Sequence, residues 1–211
     1  MGNFFHTLFS SEGLRQIITN GGIPLMCLII FAETGLLIGF FLPGDTLLFL
    51  AGSLSATGEI QMSIFIVILL LTASAIIGNS VGYFIGAKAG KKLFERPNSR
   101  FFNRDHLIKT HNFYEKYGSI TMVLARFIPI VRTFAPVVAG TVDMSKKKFT
   151  AYNIIGAVLW IGGVTILGYF LGKTFPDIIK YLQIAVIGVV IISLLLPVVG
   201  WLRSRKSLPK N

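Results

Sequence analysis

The sequence predicts an all-α membrane protein: two oppositely oriented re-entrant helical hairpins plus transmembrane helices, arranged as an inverted repeat. Three observations carry that prediction. Of 211 residues, 53% are hydrophobic and 14% charged, with a mean hydropathy of +0.72, which is the composition of an integral membrane protein. Residues 60–87, 149–172 and 181–202 each reach the roughly 20 apolar residues a helix needs to cross the hydrocarbon. Two further apolar stretches, 21–58 and 118–144, carry charges and prolines and do not fit a clean span.

Residues 1–20 lack the basic start, compact apolar core and cleavage site of a signal peptide, and His6 stands where a myristoylation signal needs Ser or Thr. They are expected to form a surface helix lying against the membrane, ahead of a membrane domain over 21–202. Cys27 is the single cysteine, so no disulfide framework or cysteine-rich metal site is available.

The first repeat is placed at 21–87. Residues 21–58 are too long for one helix, contain Glu33 and Asp45, and break at Pro43-Gly44, which suits a hairpin that dips in and leaves by the same face. Non-helical backbone at that depth is tolerated only where protein or water covers it. A basic loop over 88–117 follows, with Lys88, Lys91, Lys92, Arg96, Arg100, Arg104, Lys109 and Lys116. The second repeat, at 118–172, opens with "LARFIPIVRTFAPVVAG", residues 124–140, whose two arginines and two prolines again suit a hairpin.

The last span, 181–202, leads to a basic tail over 203–211 with Arg203, Arg205, Lys206 and Lys210. The positive-inside rule puts the loop and the C-terminus in the cytoplasm. Lys146, Lys147 and Lys148 then fall on the same side.

The sequence also repeats. "AGSLSATGEIQMSIF" and "AGTVDMSKKKF" each follow a hairpin, and "GYFIGAK" at Gly82 returns as "GYFLGKT" at Gly168. The offsets are 88 from Gly52 to Gly140 and 86 from Gly82 to Gly168. Gly and aromatic residues recur by chance in membrane helices, so the matched topology carries more than the letters. One hairpin plus one span crosses the membrane an odd number of times, so the second copy is inverted, a layout associated with transporters whose site lies at the repeat interface.

Gly78, Gly82, Gly86 and Gly90 recur every fourth residue and form one stripe that admits a close helix neighbour. Packing is their expected role, within one chain or between copies in a homo-oligomer. Glu33, Asp45, Arg126 and Arg132 are different in kind. Each charge at a helix centre costs about 2.5 to 3.5 kcal/mol, so four unpaired ones would cost roughly 10 to 14. The economical arrangement has the hairpins meeting tip to tip, two acids facing two arginines in a partly wet cavity.

A plain structural reading makes that cluster a staple. Buried ion pairs are weak stabilisers beside apolar packing, however, and intramembrane ionisable groups mark substrate or proton paths. The planar arginine fork binds phosphate oxygens in pairs, and helix restarts after Pro43-Gly44 or near Pro136 would add free N–H groups. Asp45 also suits an N-cap.

The net charge of +11 would suggest nucleic acid in a soluble chain, but here the bilayer dictates where the basic residues fall. His106 and His111 in "DHLIKTHNFYEKYG" have neither a Cys nor helical i, i+4 spacing to make a zinc site. That segment reads as an amphipathic interfacial helix against anionic headgroups. No nucleophile–base pair, P-loop or dinucleotide motif is present, so neither an enzyme nor a cofactor is expected.

Glu33, "PGD" at 43–45, the glycine series, and "RFIPIVRTFAPVVAG" followed by Met144, Phe149, Asn153, Gly156 and Trp160 resemble the DedA family, also called SNARE-associated or VTT-domain membrane proteins. The resemblance covers roughly residues 33–172. Two positions depart from it: Asn79, where the family often has an acid, and Ala87-Lys88, where it often has arginine after the third glycine.

The resemblance implies lipid transport, with Arg126 and Arg132 holding a phosphate and Glu33 and Asp45 pairing with them and taking up protons. Bacterial members of the family are associated with returning undecaprenyl phosphate across the cytoplasmic membrane. Others move phosphatidylethanolamine, and eukaryotic relatives scramble phospholipids. A flippase for undecaprenyl phosphate, coupled to the proton gradient, is the leading expectation. A phospholipid flippase or scramblase and a non-transporting scaffold are the alternatives.

Overall fold

A computed structural model describes residues 11–36, 42–94, 122–123, 126–127 and 129–175. Among these the chain is all helical. Most of the basic loop, with His106 and His111, the span at 181–202 and the tail lie outside the described residues.

Helix α1, Ser11–Gly35, runs through what the sequence reading divides into a surface helix and the start of the membrane domain. It bends at Gly22, whose φ of 59° and ψ of −162° are not helical. Glycine takes that conformation without a Cβ clash, and Pro24, two residues on, removes a backbone donor just where the regular ladder is broken. The stretch Ile18–Gly35, which contains the bend, is long and apolar enough to cross a membrane, where the sequence predicts only one arm of a hairpin.

Helix α2, Gly44–Ala56, has 13 residues, or about 20 Å at the usual rise, well short of a roughly 30 Å hydrocarbon core. Helix α3, Ile64–Phe94, is a full span whose apolar part covers Ile64–Ala89. Helix α4, Pro129–Thr141, also has 13 residues. Its first residue is proline, whose missing N–H costs nothing at that position.

The last described span is continuous over Lys146–Thr174. It comprises α5, Lys146–Ala157, a five-residue π-helical turn, Val158–Gly162, and α6, Gly163–Thr174. Thus the spans expected at 60–87 and 149–172 are present as long apolar helices.

Each short helix lies on a long one from the other half of the chain: α2 on α6, and α4 on α3, which also receives α1. Glycines set the separation. A Cβ on Gly168 would run into the Phe49 carbonyl, and one on Gly52 into the Thr165 carbonyl. In the other pair a Cβ on Gly86 would meet the Val137 carbonyl and one on Gly140 the Tyr83 carbonyl.

The two interfaces are built alike. Short-helix positions differ by 88, from Phe49 to Val137 and Gly52 to Gly140, while long-helix positions differ by 82, from Gly86 to Gly168 and Tyr83 to Thr165. The letter match pairs Gly82 with Gly168. The packing pairs Gly86 with it, one turn further on.

Apolar packing fills the spaces between. Leu47, Leu48, Leu50 and Leu54 of α2 meet Ile30 of α1, Leu71 and Ala75 of α3, and Ile161 in one buried cluster. Tyr83, Ala135, Ala139 and Phe149 form a smaller one, with Tyr83 stacked on Phe149 at 4.3 Å between ring centroids. Outward faces are apolar too, with Phe65, Leu69 and Ile77 on α3 and Ile155, Leu159 and Phe170 on the last span all exposed. A helix apolar all round belongs in lipid.

Candidate functional site

Three of the four ionisable residues meet directly. Glu33 closes the last turn of α1, Asp45 lies in the first turn of α2, and Arg132 is the fourth residue of α4. Arg132 Nη1 donates to both Asp45 oxygens, at 3.0 and 3.1 Å, and Nη2 donates to Glu33 Oε1. Arg132 and Glu33 are fully buried, whereas the Asp45 side chain keeps about a quarter of its surface open. The guanidinium fork suits this task because it offers donors in two directions within one plane.

Trp160, carried by the π-helical turn, holds the cluster from a fourth direction. Its indole N–H donates to Asp45 Oδ1 at 2.7 Å, and the Arg132 guanidinium carbon lies 4.4 Å from the centre of its ring. A cation over an indole face is attracted by the ring quadrupole. π-helical turns of this kind recur at functional sites.

Gly44 completes the arrangement, because a Cβ there would overlap the Glu33 carboxylate. The bare backbone lets the Glu33 carboxylate reach the start of α2, where the first N–H groups have no partner within the helix and the dipole is positive.

Arg126 stands apart from the acids. It is buried in the turn before α4, and its Nη2 donates to the Asn153 carbonyl at 3.1 Å and to the Asn153 side-chain oxygen. Asn79, with its amide oxygen turned toward the guanidinium, accepts from the same Nη2 and donates to the Thr34 carbonyl at 3.0 Å. Asn153 is anchored in turn, donating to the Ile76 carbonyl at 3.0 Å. Gly156 makes room, since a Cβ there would sit 2.8 Å from Arg126 Cδ and Nε.

The tip-to-tip meeting expected from the sequence therefore divides in two: one arginine takes both acids, and the other takes two amides. Asn79 and Asn153 were without an assigned role in the sequence. The signal that finds them is a buried amide in each of two otherwise apolar spans, both facing the same guanidinium. Gly78 and Gly82 pack against α1 and α4, with Gly78 facing Thr34 and Gly82 facing Pro136, and Gly86 lies on Val137. The surroundings of Gly90 lie outside what the structure describes.

A separate groove of about 330 Å³ lies between the bend of α1 and the turn after α2, lined by Ile18, Gly22, Leu54 and Gln61 among others. It contains none of the four charged residues. The buried charges, each fixed by named partners, define the site better than the size of a cavity.

The chain matches the VTT domain over residues 42–170. It is 44% identical to Protein DedA of Escherichia coli K12 over 197 residues, covering 92% of this chain and 90% of the relative. An uncharacterized membrane protein of Mycobacterium tuberculosis is 38% identical over 202 residues, covering 94% and 88%. The inner membrane protein YqjA of Escherichia coli K12 is 36% identical over 157 residues, covering 74% and 70%. No solved structure matches. With its span-length apolar helices, this chain is a membrane protein that belongs to the VTT-domain, or DedA, family.

Proposed function

We propose that the protein is a lipid transporter that returns undecaprenyl phosphate across the bacterial cytoplasmic membrane, driven by the proton gradient. The observation that carries this reading is the fully buried Arg132, bound by two carboxylates from two other helices and set among apolar helices. A staple has no need of two acids on one base. A site that exchanges protons for an anion does.

The charges support a stoichiometry. With both acids ionised, Glu33, Asp45, Arg126 and Arg132 sum to zero. One proton on the acid pair leaves the set at +1, and one singly charged phosphate oxygen restores neutrality, so the loaded and empty sites are equally free of net charge. A neutral set is what a low-dielectric medium favours. Proton uptake loosens the hold of the acids on Arg132 as the headgroup arrives, and the polyprenyl tail stays in lipid beside the helices.

In this reading α2 and α4 are the inner arms of re-entrant hairpins entering from opposite faces. Their matching interfaces with α6 and α3 support an inverted repeat. The basic loop and the C-terminus lie on the cytoplasmic side.

Purified protein in vesicles tests the proposal. Movement of undecaprenyl phosphate that requires an imposed pH gradient is the expected result. Movement of many phospholipids without a gradient would make the protein a scramblase, and no movement of any lipid would make the cluster a structural staple in a scaffold.

A further inference from the structure

Two glycines in the last described span have no packing role. Gly52, Gly86, Gly140 and Gly168 each stand where a Cβ would strike a neighbouring backbone. At Gly162 and Gly163, apart from adjoining residues and the helix's own backbone, nothing lies within 4 Å of the Cβ position. Nor does their conformation call for glycine, since both have ordinary helical angles, φ −61° and ψ −48° for Gly162, φ −59° and ψ −51° for Gly163. Adjacent glycines inside a helix cost stability relative to alanine. Gly162 ends the π-helical turn, and Trp160 is the middle residue of the 29-residue span. Glycine pairs and π-turns are places where helices bend.

The elements on the two sides of this point belong to different units. α5 is tied to α3 by Asn153, which donates to the Ile76 carbonyl, and by Phe149, stacked on Tyr83. α3 carries α1 and α4 through close backbone contacts, Gly78 on Gly35 and Gly86 on Val137. α6 carries α2 in the same way, Gly168 on Phe49 and Gly52 on Thr165. The two units meet through side chains: Leu47 and Leu50 share an apolar cluster with Ile30 and Leu71, and Asp45 meets Arg132. Side chains can slide past one another where interlocked backbones cannot.

Resting on the transport reading above, we infer that the π-helical turn and Gly162-Gly163 form a hinge about which α6 swings with α2 as its passenger. The swing parts Asp45 from Arg132 and opens a path for the headgroup. Glu33 stays with Arg132, because α1 and α4 both ride on α3. The bond from Trp160, in the hinge itself, to Asp45 and the pair between Arg132 and Asp45 are the two latches of the closed form. α6 has 12 residues, about 18 Å at the usual rise, so a bend of about 20° moves its far end by roughly 6 Å.

Pulsed electron resonance on the full chain in vesicles tests this, with Cys27→Ser removing the native thiol. Spin labels at Phe170→Cys in α6 and Leu69→Cys in α3, both exposed in the wild type, report the separation of the units. Asp45→Asn releases the latch and is expected to bring up a second distance. Trp160→Phe, which frees Asp45 from the hinge, serves if Asp45→Asn does not fold. Adding Gly162→Ala and Gly163→Ala, which fit without a clash, is expected to cut the second population about tenfold. Labels within one unit, at Ile154→Cys in α5 and Ile77→Cys in α3, should keep a single distance throughout. With Asp45 intact, the alanine pair should leave the thermal midpoint unchanged or raised and slow translocation of undecaprenyl phosphate about tenfold.

A single distance between α6 and α3 in the unlatched chain, or a second one that the alanines leave untouched, overturns the inference. So does unchanged translocation by the folded alanine variant. If the distances respond as expected but the wild type moves no lipid, the transport reading fails and the hinge stands. Lipid movement by a wild type whose distances never change is the reverse.

Discussion

Two regions of this molecule are built by opposite means. Where α2 lies on α6 and α4 on α3, glycine meets backbone carbonyl, and in the second pair Thr141 donates to the carbonyls of Val137 and Gly86. At the centre, charged groups from several helices hold one another through side chains. The first kind of contact is suited to stability in lipid, where association rests on close packing. The second is a poor way to stabilise a membrane protein. The contrast separates a fold that stands on the glycines from a charged cluster that the proposed transport requires.

Breaking the packed region should have the largest effect. Gly86→Leu or Gly168→Leu drives a side chain into the backbone of Val137 or Phe49. Overpacking costs about 1–3 kcal/mol even where neighbours can shift, and a backbone carbonyl cannot. The expected outcome is loss of monodisperse protein in size-exclusion chromatography. A folded, fully active Gly86→Leu variant would remove the distinction.

Next in size is Arg132→Ala, which leaves Glu33 and Asp45 facing each other without their cation. Removing one partner of a buried pair costs about 3–5 kcal/mol, so the thermal midpoint should fall and transport should stop. Trp160→Phe is a sharper probe, keeping an aromatic face for Arg132 while removing the donor to Asp45. A hydrogen bond to a charged group contributes about 1.5–3 kcal/mol. A modest drop in midpoint and a larger loss of transport are expected from the same variant.

The smallest effect belongs to the surface. Arg15 on α1 holds Glu59 through two nitrogens at 3.0 and 2.8 Å, but both side chains remain partly exposed. Exposed pairs contribute about 0–1 kcal/mol, so Arg15→Ala should leave midpoint and transport almost unchanged. A large loss would mean that electrostatics also supports the periphery.

Much of this contrast was legible in the sequence, for physical reasons. Glycines at every fourth position in an apolar span announce a close helix contact, and charges in apolar stretches announce a partner. The spans containing α3 and α6 follow from length and hydropathy. Less visible was which arginine takes which partner, because Asn79 and Asn153 are unremarkable as single letters until two helices bring them to one guanidinium.

The bend at Gly22 was hidden for a related reason. A Gly-Gly-x-Pro run marks a break, yet the helix resumes after it, and the stretch Ile18–Gly35 that contains the bend has span length. The π-helical turn that aims Trp160 has no local signature. It is read only from the backbone.

The separation of stability from function is tested most directly by one protein, the Glu33→Gln/Asp45→Asn/Arg132→Met variant, measured for thermal unfolding and for lipid translocation in vesicles. Three charges become near-isosteric neutral groups, so none of the three loses its partner while staying charged, and Arg126 keeps its hydrogen bonds to Asn153. The account predicts a midpoint equal to or above that of the wild type, with translocation abolished. A folded triple variant that moves lipid at the wild-type rate would contradict it.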